Sequence, residues 1–128
     1  MVVNVGGVFI YSRQPKALAL WYEKHLGIKC DNIETDFGFY YKAFPYTDSA
    51  SGKTASLCWS IMENKDLNPG LQKIYTVNYR VTDMEKVVEH LRSLNVEVKG
   101  IETHPEGKFA WCNDLDGNKI ELWEDTTI

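Results

Sequence analysis

Residues 107–124 read GKFAWCNDLDGNKIELWE, and this stretch sets the architecture of the chain. Phe109 and Trp111 stand at alternate positions before a polar turn, Asp114-Leu115-Asp116-Gly117-Asn118. A second alternating run, 119–124, follows at once. Asp, Gly and Asn tolerate the backbone angles that tight reversals demand, so the stretch predicts a β-hairpin. Side chains alternate between the two faces of a strand. Ile120 and Leu122 therefore mark a core face, and Glu121 and Trp123 turn to the other side. A carboxylate planted on a strand between apolar neighbours is a candidate for chemistry.

Upstream, one pattern occurs twice. Residues 8–29 and 78–99 align without a gap, and each copy gives a strand, a hydroxyl residue, a helix and another apolar segment. In the first copy, 8–11 is a strand and Ser12 is the cap of a helix that begins near Arg13. Pro15 falls in the first turn, where its missing N–H is harmless. Leu18, Trp21, Tyr22, His25 and Leu26 recur at helical spacing, and Gly27 supplies a left-handed stop. In the second copy, 73–81 is the strand and Thr82-Asp83-Met84-Glu85 has capping-box spacing with Thr82 as cap. Met84, Val87, Val88, Leu91 and Leu94 form the buried stripe. Three short strands are expected after each helix, at 29–35, 39–44 and 54–62, then at 97–103, 108–113 and 119–124. A polar loop occupies 46–53, and 64–70 reads as a plain linker.

Composition narrows the function classes. A chain of 128 residues with 44% hydrophobic content suits one compact domain with a real core. A net charge of −4, with a pI near 5.3 and no Lys/Arg cluster, argues against nucleic acid or an anionic membrane as partner. The start, MVVNVGGVFIY, has no basic segment and no small-residue cleavage site, so the expectation is a soluble, unprocessed, cytoplasmic chain. Cys30, Cys58 and Cys112 are an odd number without CxxC spacing and read as reduced core cysteines. No Gly-rich phosphate loop, GxSxG elbow, HExxH or paired-cysteine zinc pattern occurs. Gly6-Gly7 precedes a strand rather than a helix, so it is no dinucleotide cradle.

The hairpin and the two helix starts resemble the vicinal oxygen chelate superfamily, which contains glyoxalase I, bleomycin-resistance proteins and extradiol dioxygenases. The resemblance covers essentially the whole chain and implies an α+β fold. Two βαβββ modules, 1–63 and 73–128 joined by a linker at 64–72, would form a curled mixed sheet around a groove, with helices on the outer face. It also implies four metal-ligand positions, a histidine on the first strand and a glutamate on the last strand of each module. Glu121 stands where one glutamate is a ligand. The histidine positions, seven residues before each helix start, are Gly6 and Thr76. Glycine offers no donor, and a neutral hydroxyl is a poor ligand for a borderline-soft ion. The run 57–62 holds no carboxylate, and Glu63 lies at its end. One carboxylate does not make a site that needs about three protein ligands. The expectation is therefore no cofactor, with a divalent metal (Zn or Ni) as the alternative. His25 and His90 read as helix-end surface residues, and His104 as a loop residue near the groove mouth.

Parity draws the groove face. It takes Val8 and Ile10 after Gly6, Asn78 and Arg80 after Thr76, Glu121 with Trp123, and Phe109, Trp111 and Asn113. On the fourth strand the phase stays open between Leu57, Trp59 and Ile61 and their alternates. The ligand-binding candidates are Ile10, Trp59, Thr76, Asn78, Arg80, Trp111 and Trp123, with Glu121 as the catalytic candidate. Arg80 and Glu121 either pair with each other or orient a ligand, and core packing is the plainer reading for any single tryptophan. The leading reading is a glyoxalase-like protein without metal that sequesters a small organic molecule in an aromatic groove. Bleomycin-resistance proteins are the precedent, and the resemblance alone adds a homodimer. The competing reading is a lactoylglutathione-lyase-like enzyme or isomerase with Glu121 as general base or metal ligand. A third is a sensing module with a vestigial groove.

Overall fold

The protein is described from a computed structural model at residues 1–68 and 75–128. The chain divides into two compact units, Met1–Asn68 and Pro69–Ile128. The fold is α+β as expected, with two helices and two mixed sheets of three and four strands.

The first unit contains β1 (Gly7–Ser12), α1 (Pro15–Leu26), β2 (Phe39–Thr47) and β3 (Thr54–Glu63). β3 is central, parallel to β1 and antiparallel to β2. Ser12 does not cap a helix at Arg13. Its hydroxyl accepts from the Gln14 N–H at 3.0 Å, and the helix starts at Pro15, which has no amide hydrogen to orphan. Gly27 ends it in the left-handed conformation at φ 71°, and its N–H donates to the Glu23 carbonyl. Leu18, Ala19 and Tyr22 form the buried face of α1, and the Tyr22 ring meets Trp59 of β3 edge to face at 4.9 Å. Burying side chains of this size stabilises the unit by about 1.5–3 kcal/mol each.

The strand expected at 29–35 is absent, and turns take its place. The cause is local. The Asn32 side chain accepts from the Tyr41 N–H and donates to the Phe39 carbonyl, each at 3.0 Å, while Thr35 bonds back to the Asn32 carbonyl. Side-chain hydrogen bonds along the edge of β2 thus replace the ladder that another strand would make. The first copy is βαββ.

The second unit contains β4 (Val77–Arg80), α2 (Met84–Ser93), β5 (Lys99–His104), β6 (Gly107–Asn113) and β7 (Lys119–Glu124). Its order is β4-β7-β6-β5, with β4 parallel to β7 and the other pairs antiparallel. This is the expected βαβββ order. Lys73, at the start of the expected strand, and Pro69, Gly70 and Gln72 of the expected linker lie outside the described residues. The cap of α2 is Asp83 rather than Thr82. Asp83 is extended at φ −144°, and its carboxylate accepts from the Lys86 N–H at 3.2 Å. Glu124 accepts from the Met84 N–H at 2.7 Å, and Glu85 turns instead to Lys108.

The β6–β7 hairpin turns as its sequence requires. Buried Asp114 accepts from the backbone N–H groups of Asp116 and Asn118 and from the Asn118 amide, at 2.9, 2.8 and 2.7 Å. Ala110, Cys112, Ile120 and Leu122 share one sheet face and are buried with Met84, Val88 and Leu91 of α2. Among the described residues, no helix is long and apolar enough to cross a membrane.

Candidate functional site

The face of the second sheet turned away from the α2-side core carries most of the polar and aromatic candidates. Ladder partners project to the same side of a sheet. Register therefore gives two transverse rows, Asn78–Glu121–Trp111–Lys99 and Arg80–Trp123–Phe109–Glu102. In the first row, the Glu121 carboxylate is held from both sides. Asn78 Nδ2 donates to one oxygen at 2.8 Å, and Trp111 Nε1 donates to the other at 3.0 Å. In the second, Phe109 stacks between two indoles, 6.5 Å from Trp111 at 15° and 6.3 Å from Trp123 at 7°. His104 adds an edge-on contact to Phe109 at 5.7 Å and lies 3.2 Å from a Glu102 oxygen.

Trp123 is fixed from below. Its Nε1 donates to the Glu106 carbonyl at 3.0 Å. A Cβ at Gly107 would come within 2.9 Å of that same nitrogen and would collide with the Glu124 carbonyl. Gly107 also has φ 142°, so this position needs glycine twice over. The Glu106-Gly107 pair escaped the sequence reading, and the glycine at the strand start was its one visible signal.

Four of the candidate residues come together here: Asn78, Glu121, Trp111 and Trp123. Arg80 shares the face but does not pair with Glu121. Asn78 is the residue opposite Glu121 in the ladder, and Arg80 stands two places along, opposite Trp123. Arg80 instead helps to line a shallow pocket with Val81, Thr82, Glu124, Asp125, Thr126 and Ile128. There Asp125 is held below the usual carboxylate range, first by the Thr127 hydroxyl and more weakly by the Arg80 charge. Thr76 is exposed and lies just before β4.

Ile10 and Trp59 belong to the first unit. Trp59 is 1% exposed and packed on Tyr22, so it belongs to the α1-side core. Val8 and Ile10 pair with Trp59 and Ile61 in the β1–β3 ladder and share that face. The opposite face of the first sheet carries Phe9 and Tyr11, 55% and 51% exposed, with Phe39 and Tyr41. Phe37, Phe39 and Tyr41 form a stacked series with centroids 6.2 and 6.4 Å apart. Their i, i+2, i+4 spacing was the available signal for it. Buried Ser60 lies between Phe9 and Tyr41 in the ladder, and its hydroxyl is 3.3 Å from Cys58 Sγ.

The histidines sit on three different elements. His25 stacks on Trp21 at 4.3 Å, with Nδ1 2.8 Å from the Trp21 carbonyl, and His90 is exposed on α2. Gly6 contributes only its carbonyl, which accepts from the Cys58 N–H at 2.9 Å. Among the described residues, the one cluster of three metal-capable side chains is Asp83, Glu85 and Glu124. It lies at the start of α2 and excludes Glu121. Lys108 bonds Glu85 there at 2.7 Å, so one of the three carboxylates is already paired with a cation.

The comparisons agree with this fold. No curated protein matches the sequence. The Tn5 transposon's bleomycin resistance determinant superposes with a TM-score of 0.68 at 17% identity, covering 97% of this chain and 99% of that one. TnmS3, an antibiotic binding protein from Streptomyces sp. CB03234, gives 0.66 at 20% identity, covering 98% of each chain. The oxidase ChaP-H2 gives 0.70 at 14% identity, covering 97% of this chain and 94% of that one. At such identities the likeness is one of fold. A family model matches residues 4–122, and the chain belongs to the Glyoxalase/Bleomycin resistance protein/Dioxygenase superfamily.

Proposed function

We propose that this protein binds a small organic molecule on the open face of its second sheet, without a metal ion. The observation that carries the reading is the clamped Glu121 carboxylate beside the Trp111–Phe109–Trp123 row. Aromatic surface supplies area for a flat ligand, and a few placed polar groups orient it. The side chains are ordered before the ligand arrives, which lowers the entropy cost of binding. Two relatives of the same fold, named as a bleomycin resistance determinant and an antibiotic binding protein, support sequestration as the use of such a face.

A metal fits these residues poorly. Glu121 is the one carboxylate at a ligand position, and Gly6 and Thr76 bring no imidazole. A site with about three protein ligands cannot be assembled from one carboxylate. We place the protein in the cytoplasm as a homodimer of single-domain chains. Free Cys30, Cys58 and Cys112 favour the reducing compartment.

Thermal-shift screening against aromatic and glycosylated small molecules, with and without a chelator, tests the reading. A ligand at 100 times its dissociation constant raises stability by about 2.7 kcal/mol. Stabilisation by at least one compound, unaffected by chelator, is expected. An unresponsive protein, or a response that the chelator removes, contradicts the reading.

A further inference from the structure

The hydrogen-bond inventory of the face points to the class of molecule it takes. Both indole N–H groups are occupied, Trp111 on Glu121 and Trp123 on the Glu106 carbonyl. The aromatic row therefore presents ring faces and no donor. An ionised carboxylate has about four acceptor sites, and Glu121 uses two of them. The capacity left in the middle of the face is that of an acceptor. Glu102, opposite Phe109 in the ladder, adds a second carboxylate at the β5 side. The cations of the face, Arg80 and Lys99, stand on the two outer strands, β4 and β5, opposite Trp123 and Trp111, and neither is the ladder partner of Glu121. The whole chain carries a net charge of −4, which attracts positive ligands from a distance.

From this pattern we propose that the ligand is a flat organic cation with N–H donors. Its ring system stacks on Trp111, Phe109 and Trp123, and its protonated nitrogen bonds Glu121. A cation held over indole faces gains from their negative π surface, and the carboxylate bond is charge-assisted. The proposal rests on the binding face described above and adds the charge and polarity of what binds there.

Three molecules of one ring shape test it: protonated aminoacridine, neutral acridine and acridine carboxylate. Binding is followed by the indole N–H resonances of Trp111 and Trp123, which locate the ligand as well as detect it. Aminoacridine is expected to bind at least about tenfold more tightly than acridine, with the carboxylate weakest. Added salt should shrink that preference, since ionic attraction is screened. In Glu121→Gln the preference should fall to within about threefold. Acridine or its carboxylate binding as tightly while the same two resonances shift overturns the cationic class and leaves the binding face standing. A preference that survives Glu121→Gln and high salt also overturns it. No shift with any of the three compounds overturns both the class and the face.

Discussion

Trp111 donates its indole N–H to Glu121 at 3.0 Å, and the two residues are direct partners in the β6–β7 ladder. The bond couples the aromatic row to the charged group, so one change disturbs both. Trp111→Phe keeps a ring but removes the donor, leaving Asn78 as the remaining protein donor to that carboxylate. It should lower stability by about 0.5–1.5 kcal/mol, the usual net worth of such a bond, in urea unfolding. No change in the unfolding midpoint would show that the bond is idle in solution.

Gly107→Ala is expected to cost more. Its Cβ would meet the Glu124 carbonyl and the Trp123 indole nitrogen at a backbone angle of φ 142°. Strain of this kind costs on the order of 1–3 kcal/mol, and the chain must shift to relieve it. The fluorescence of Trp123 should change with it, because the indole loses its seat. An alanine variant as stable as the parent, with unchanged emission, contradicts this account of the glycine.

Trp59 and Trp123 should separate stability from binding. Trp59 is buried against Tyr22, whereas Trp123 belongs to the open aromatic row. Trp59→Phe should lower stability by about 1–3 kcal/mol and leave ligand affinity unchanged. Trp123→Phe should weaken binding with less effect on folding. Calorimetric titration of both variants distinguishes them, and the reverse pattern would place the ligand elsewhere.

The thiols give a pH signature. Burial first, then the charges of Asp31 and Glu23, push Cys30 up to about 11. Burial, with a smaller contribution from Asp114, pushes Cys112 up to about 11. Both keep their protons in the fold where the unfolded chain, with its value near 9.0, releases them. The native state then binds more protons, so stability falls as pH rises from about 9 toward 11. Near neutral pH a thiol reagent should modify Cys58 first and reach the buried pair only on unfolding. Equal rates at all three would contradict the assignment.

The second half of the fold was open to sequence reasoning because its alternation is clean. Ile120 and Leu122 are apolar between Lys119, Glu121 and Glu124, so period two could take one answer only, and Asp114 to Asn118 fixed the register. Asn78, Glu121, Trp111 and Trp123 accordingly fall on one sheet face. The first half gives no such contrast. Val8, Phe9, Ile10 and Tyr11 are apolar on both faces, so the parity counted from Gly6 took Ile10 for an open residue and passed over Phe9 and Tyr11. The phase of Trp59 stayed open for the same reason, since Trp is as much at home under a helix, where it lies, as on a binding face. The missing strand at 29–35 depends on Asn32 bonding to residues seven and nine places on, which local propensity does not register. The closeness of Asn78 and Trp111 to Glu121 likewise depends on ladder pairing across 43 and 10 residues.

The most direct measurement follows the four tryptophan indole N–H resonances during titration with a stabilising compound, in a buffer containing EDTA. Trp111 and Trp123 should shift in a saturable way, while Trp21 on α1 and Trp59 in the core stay in place. Shifts at Trp21 or Trp59 alone, or a response seen only when metal is restored, would contradict metal-free binding at the Glu121 face.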